Sequence, residues 1–211
     1  QSIASALSEE ATLPLDEEAD PILVCVHVLC GHDAPVTSIS YSHDHDLLLS
    51  GSKSGLLCLH TIRKGRCIRT ISGMKGVSID IVLLTGPGYL VAHSWTDLSL
   101  HLFWLNGQHR KVLTVPSRIE CMAVNGSGNV LVCGGNDGFL SFRTLWDLEE
   151  QHVVDVSSRG PIRSIKFTED YQFLLVGSED GTVSICTDPD VRWRMLRLAI
   201  QKIPMLGPTM S

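Results

Sequence analysis

A unit of about 43 residues recurs along this chain, and it restricts the fold more than any other feature. Segments starting at Val36, Val77, Ile119 and Ile162 align with spacings of 41, 42 and 43 residues. Each clear copy opens on an alternating run, such as Ile119-Glu120-Cys121-Met122-Ala123-Val124 or Ile162-Arg163-Ser164-Ile165-Lys166-Phe167. A polar turn follows, then a nearly continuous apolar run (Leu47-Leu48-Leu49, Val130-Leu131-Val132, Phe173-Leu174-Leu175-Val176) that reads as a strand covered on both faces. Next come the turns Gly51-Ser52-Lys53-Ser54-Gly55, Gly134-Gly135-Asn136-Asp137-Gly138 and Gly177-Ser178-Glu179-Asp180-Gly181, whose last glycine suits a tight hairpin. A third alternating strand and a more polar fourth close the unit. The second copy is degenerate: Ile79, Ile81, Val82 and Leu83 form its first strand, and its turn Ser94-Trp95-Thr96-Asp97 lacks the glycine.

Period-2 alternation alone would also suit a β-sandwich. A sandwich has no reason to repeat one glycine turn in the same phase every 43 residues, whereas a β-propeller copies one four-stranded blade of about 40–45 residues. The expected fold is therefore all-β, a propeller of about four blades with four antiparallel strands each. The blades are placed at 31–72, 73–115, 116–157 and 158–198. Residues 23–29 alternate like the outer strand of a blade this chain lacks, which argues for a partial ring. Residues 1–22 read as an acidic lead-in and 199–211 as a tail. A chain that starts at Gln1 reads as processed or a fragment, and an open ring is expected to be marginally stable alone.

The Gly31-His32 pair, the Leu47–Gly51 run and the turn aspartates Asp137 and Asp180 resemble WD repeats over about residues 23–196. That resemblance implies a network of a His, a turn Asp, a Ser or Thr and a Trp inside each blade. Here the network is eroded: Ser54 stands at the aspartate position of the first repeat, and His60, Arg143 and Cys186 at the tryptophan position. Trp146-Asp147 falls three residues late, either by chance or through a small insertion. The residues assigned to turns and network are Gly31, His32, Ser50, Gly51, Gly55, Gly134, Asp137, Gly138, Gly177, Asp180 and Gly181. More specifically, Gly31-His32-Asp33-Ala34-Pro35-Val36, Ser50-Gly51-Ser52-Lys53-Ser54-Gly55 and Leu59-His60-Thr61-Ile62-Arg63-Lys64-Gly65 resemble the C-terminal propeller of BEACH-domain, neurobeachin-like proteins. That implies a non-catalytic interaction scaffold in vesicle traffic or membrane-organelle sorting. It also implies cytoplasmic placement and peripheral membrane association through a longer parent. A generic WD-repeat adaptor is the alternative, and a propeller hydrolase a remote one.

The residues ahead of each first strand, Asp33, Lys75, Arg118, Arg159 and Arg163, are the expected contacts with protein partners, because loops on a rigid scaffold carry binding. A formal charge of −6 argues against a general nucleic-acid binder. No phosphate loop and no nucleophile elbow occurs, and no cofactor is expected. His43 and His45, interleaved with Asp44 and Asp46, read as a solvated turn, so no metal site is expected. The seven cysteines form no C-x-x-C pair and read as small buried hydrophobes in a reducing compartment. No signal peptide or bilayer-long apolar run is evident. In the tail, Arg192, Arg194, Arg197 and Lys202 alternate with apolar residues: a last strand running into a frayed end, or a short amphipathic segment.

Overall fold

The computed structural model describes residues 24–74, 76–156 and 160–187. The lead-in, Lys75, Arg159 and the tail lie outside the described residues. Blade 1 is the sheet β1 (Val36–Ser42), β2 (Leu47–Ser52), β3 (Leu57–Thr61) and β4 (Cys67–Ile71). Blade 2 is β5 (Ile81–Leu84), β6 (Tyr89–His93), β7 (Ser99–Trp104) and β8 (His109–Thr114). Blade 3 is β9 (Ile119–Val124), β10 (Val130–Gly135), β11 (Phe139–Thr144) and β12 (Glu150–Asp155). Blade 4 comprises β13 (Ile162–Phe167), β14 (Phe173–Ser178) and β15 (Val183–Thr187) among the described residues. All neighbouring strands are antiparallel and consecutive, which is the meander of a propeller blade. No helix among the described residues is long and apolar enough to cross a membrane.

Because side chains alternate across a strand, each blade has two faces. Blade 1 turns Leu47, Leu49, Leu57 and Leu59 onto Ile79, Val82, Leu84, Leu90 and Phe103 of blade 2. Blade 2 turns Val91, Leu100 and Leu102 onto Ile119, Leu131 and Cys133 of blade 3. Blade 3 turns Val132, Leu140 and Phe142 onto Ile162, Ile165, Leu174 and Val176 of blade 4. The stability of the arc thus resides in three interblade cores, as the expected repeat architecture requires. No core cluster joins blade 4 to blade 1 among the described residues.

The glycine turns occupy the backbone region their sequence requires. Gly55, Gly138 and Gly181 have φ of 84°, 84° and 82°. In blade 2 the same turn position is taken by Leu98, at φ 56°, whose side chain packs against the core between blades 2 and 3. Its neighbour Asp97 accepts from the Ser99 amide at 3.1 Å, as Asp137 does from Phe139 at 3.1 Å and Asp180 from Thr182 at 2.9 Å. The degenerate repeat therefore keeps the aspartate cap and loses only the glycine. Burial and packing put Ile79, not Val77, in the place of Ile119 and Ile162.

The intrablade network is reduced as the sequence implied. In blade 1, His32 Nε2 lies 2.7 Å from Ser50 Oγ, but Ser54 turns away and donates to Asp33 Oδ1 at 2.6 Å. At the tryptophan position, His60 Nε2 meets the Cys30 carbonyl at 3.1 Å, and Arg143 donates to the Leu148 carbonyl at 3.1 Å. Trp146 is nearly half exposed in the turn after β11, so the late Trp-Asp pair belongs to that turn and to no core network. The reading of the cysteines as buried needs correction: Cys58 and Cys133 are buried and Cys121 and Cys186 partly so, but Cys25, Cys30 and Cys67 are exposed. Cys25 and Cys30 lie on the unpaired segment 24–30, and Cys67 on an outer strand, places that alternation alone cannot distinguish from the core.

Candidate functional site

Each first strand starts at one end of its sheet, the end that also carries the β2–β3 type of turn. Together these ends form a leading rim. At its base the first strand carries a β-bulge in three of the four blades, between Val36 and Ser38 in blade 1, between Ile119 and Cys121 in blade 3, and between Ile162 and Ser164 in blade 4, while β5 of blade 2 pairs in regular register. The residues set at the bulges are Thr37, Glu120 and Arg163. A bulge re-aims the side chain it carries. Here it directs polar groups across the gap to the neighbouring blade. Thr37 donates to the Ile79 carbonyl, and Arg163 reaches Glu120 at 3.1 Å.

The densest part of the rim spans blades 2, 3 and 4. Trp95 is half-buried; its amide donates to Asp80 Oδ2 and its indole Nε1 to the Ile119 carbonyl, each at 2.7 Å. The Arg118 guanidinium stacks on that indole, 3.6 Å from the ring centroid, and its Nε lies 2.7 Å from Glu120 Oε1. Glu120, only 8% exposed in its side chain, is thus held between two arginines from different blades. Arg163 continues the chain to Glu179, at 2.6 Å. A planar guanidinium suits both contacts, since it stacks on an aromatic face and forks onto carboxylates. Rigidity follows: each side chain's position is fixed by at least one bond to another blade or turn.

Of the residues expected to meet a partner, Arg118 and Arg163 come together on Glu120. Asp33 sits apart, at the start of blade 1, where the bond from Ser54 holds its carboxyl below the usual range. Lys75 and Arg159 lie outside the described residues. Trp95, Asp80, Glu120 and Glu179 were missed. Glu120 and Arg163 were legible as the polar residue following the aligned starts Ile119 and Ile162, but a bulged residue looks like an ordinary member of an alternating strand.

The histidines are engaged structurally. His93 is fully buried; it accepts the Ile119 amide on Nε2 at 3.1 Å, and Nδ1 lies 2.8 Å from the Ser99 carbonyl. Burial, the largest influence, lowers its pKa. His43 and His45 lie in an exposed turn, and no group of three metal-binding side chains occurs among the described residues.

The model of the neurobeachin β-propeller domain matches residues 16–192. BEACH domain-containing protein B of Arabidopsis thaliana is 34% identical over 75% of this chain and 6% of its own length. BEACH domain-containing protein lvsE of Dictyostelium discoideum is 29% identical over 74% of the chain and 8% of its own. The chain therefore spans less than a tenth of the curated relatives it matches. Among solved structures, the computationally designed Ika4 protein aligns with a TM-score of 0.62 at 19% identity, over 76% of this chain and 95% of that one. The Cps50 (Swd1) β-propeller domain of Myceliophteria thermophila aligns with a TM-score of 0.66 at 19% identity, over 82% of this chain and 58% of that one. At such identity the structures speak to the fold alone.

Proposed function

This chain belongs to the neurobeachin β-propeller family of BEACH-domain proteins, and from that premise we propose that it is a non-catalytic protein-interaction scaffold whose leading rim docks a partner. The observation that carries this reading is the Trp95–Arg118–Glu120–Arg163–Glu179 chain, a preordered aromatic and charged strip crossing three blades. Preordering lowers the entropy lost on binding, and Trp and Arg are the side chains most enriched where binding energy concentrates. Mixed charge in the strip favours a protein over a polyanion. The absence of chemistry is supported by the use of the histidines: His32, His60 and His93 each bind a serine hydroxyl or a backbone group.

Within a longer parent, this rim serves vesicle traffic or membrane-organelle sorting, as the family resemblance implies, with cytoplasmic placement and membrane association residing in the parent. The test is quantitative affinity capture from cell extract with the wild type and an Arg118→Glu/Arg163→Glu double variant, folding being verified by circular dichroism. At least one specifically captured protein is expected to drop about tenfold or more, the loss a desolvated charge contact produces. An unchanged capture profile from a folded variant refutes the assignment of the rim.

A further inference from the structure

We propose that His101 and His109, on neighbouring strands of blade 2, form a two-ligand site for a divalent transition-metal ion of the kind imidazole favours, such as zinc. The pair is brought together by a bulge. β7 and β8 keep regular antiparallel register from Ser99 and Thr114 to Leu102 and Lys111; Phe103 then pairs with His109, which leaves Arg110 as the extra residue. Residues paired across two strands share a face, and successive residues on one strand alternate. In unbroken register His109 would pair with Trp104 and point away from His101. The bulge turns it onto the face of His101 and Phe103 instead. Its ring stands edge-on to Phe103, with 4.8 Å between centroids, and its Nε2 lies 3.1 Å from His101 Nδ1. Arg110 is drawn elsewhere: its guanidinium lies 5.1 Å from the centre of the Trp104 ring and donates to the Trp146 carbonyl at 3.0 Å. Blade 3 uses the same bulge for an ion pair, Glu150 standing opposite Arg143 where His109 stands opposite Phe103.

The separation suits a single ion. At a metal–nitrogen distance of about 2.0–2.1 Å, two imidazole nitrogens on one tetrahedral ion stand about 3.3 Å apart. The lone pair of His101 is already placed. Ser99 Oγ donates its proton to Asp97 Oδ1 at 2.7 Å, so toward His101 Nε2, at 3.0 Å, it can only accept. His101 is therefore protonated on Nε2, and its Nδ1 presents the lone pair to His109. A hydroxyl and a carboxylate behind the ring form the kind of outer shell that fixes the tautomer of a metal-ligating histidine and makes it more basic. Burial, and after it the neighbouring His109, holds the His101 pKa below its ordinary value against the pull of Asp97, so the ring is neutral and able to ligate at pH 7. His109, exposed on the outer strand, has only to carry its proton on Nδ1 in place of Nε2, an exchange that water performs freely. Two protein ligands leave the remaining positions to water. The ion held here is therefore exchangeable, unlike one enclosed by the four ligands of a structural centre.

The test is calorimetric titration of the full 211-residue chain with zinc chloride at pH 7.5, in a Cys25→Ser/Cys30→Ser/Cys67→Ser background that removes the exposed thiols. One ion per chain is expected. His109→Ala, at an exposed ring, and His101→Gln should each weaken binding by more than about 100-fold, beyond the loss that an outer-shell change produces. His43→Ala/His45→Ala, in the exposed β1–β2 turn, should leave binding unchanged. At pH 5.5 binding should weaken, because the imidazoles take up protons that the metal must displace. Zinc that binds only the folded chain also stabilises it, so it should raise the urea midpoint of the background protein and not that of its folded His109→Ala variant. Three results overturn the proposal: no zinc uptake, uptake indifferent to both His109→Ala and His101→Gln, or uptake abolished by His43→Ala/His45→Ala.

Discussion

His93 makes the interface between blades 2 and 3 sensitive to acid. The ring is fully buried, and both nitrogens are committed: Nε2 accepts the Ile119 amide and Nδ1 faces the Ser99 carbonyl. Since an amide can only donate, Nε2 carries the lone pair and the proton is on Nδ1. Protonation would set two donors against each other at Nε2. Burial lowers the pKa from 6.5 and outweighs the bond to Ser99 and the carboxylates of Asp80 and Asp97, with Arg118 acting in the same direction as burial. The sign follows from linkage. The unfolded chain takes up a proton near pH 6.5 and the folded one only below it, so stability is complete above that pH and falls as the pH drops. If the folded ring stays neutral, one such site loses at most about 1.4 kcal/mol between pH 7.5 and 5.5. His93→Ala leaves the buried Ile119 amide unpaired, at about 1–3 kcal/mol, removes one of the two donors on the Ser99 carbonyl, which keeps the Ser94 amide at 3.0 Å, and opens a void, for a total of about 3–5 kcal/mol. His93→Gln supplies an oxygen in place of Nε2 and should cost only about 1–2 kcal/mol. Urea unfolding followed by tryptophan fluorescence at pH 7.5 and 5.5 measures each quantity. His32 and His101, whose pKa values are lowered mainly by burial, supply a remainder that the variant retains. A His93→Gln protein that loses as much stability at pH 5.5 as the wild type refutes the reasoning.

Further outcomes follow from the same contacts. Gly55→Ala and Gly181→Ala both place a side chain at positive φ, which costs about 1–2 kcal/mol, but only the first drives its Cβ into the Met74 carbonyl, 1.8 Å away; thermal melts should show Gly55→Ala far more damaging. Phe103→Ala empties a wholly buried ring between blades 1 and 2 and should cost about 3–5 kcal/mol in urea unfolding. Glu120→Gln removes the charge shared by Arg118 and Arg163; both are partly exposed, so a loss of about 1–2 kcal/mol that shrinks with added salt is expected in melts at two ionic strengths. With a thiol reagent at pH 8, Cys25, Cys30 and Cys67 should react in a fast phase. Burial pushes Cys58 to about 11 and Cys133 to about 12, so both should react only as fast as the fold opens.

The blades were legible because copying leaves its mark in every repeat: glycine turns, continuous apolar second strands and a steady period all survive even when individual residues drift. What escaped was set by contacts between repeats. Leu98 adopts a glycine's conformation because its side chain gains a core on the far side of the turn, a trade no local propensity registers. Glu120 and Arg163 lie on bulges, and a bulge leaves no trace in a polar–apolar alternation. His93 sits in an apolar strand that gives no hint of the carbonyl and amide it joins.

Eroding the network inside the blades shifted polar ties to the joints between them, and those ties converge on one position. The Ile79 carbonyl receives Thr37 of the preceding blade, the Ile119 carbonyl and amide engage Trp95 and His93, and the Ile162 carbonyl receives the Cys121 thiol at 3.8 Å. Anchoring the first residue of a strand fixes the bulge that follows, and the bulge fixes the direction of Glu120 and Arg163. Joint and rim are therefore one device. Loosening His93 or Trp95 should disturb the placement of Arg118 as well as the stability of the arc, whereas an intrablade network of the usual WD kind would leave the rim's geometry untouched. A His93→Gln protein, folded at neutral pH, supplies the comparison. If capture of a rim partner falls with it while a stability-matched core variant such as Leu131→Val still captures that partner fully, the joint positions the rim; equal capture by both separates the two and refutes the coupling.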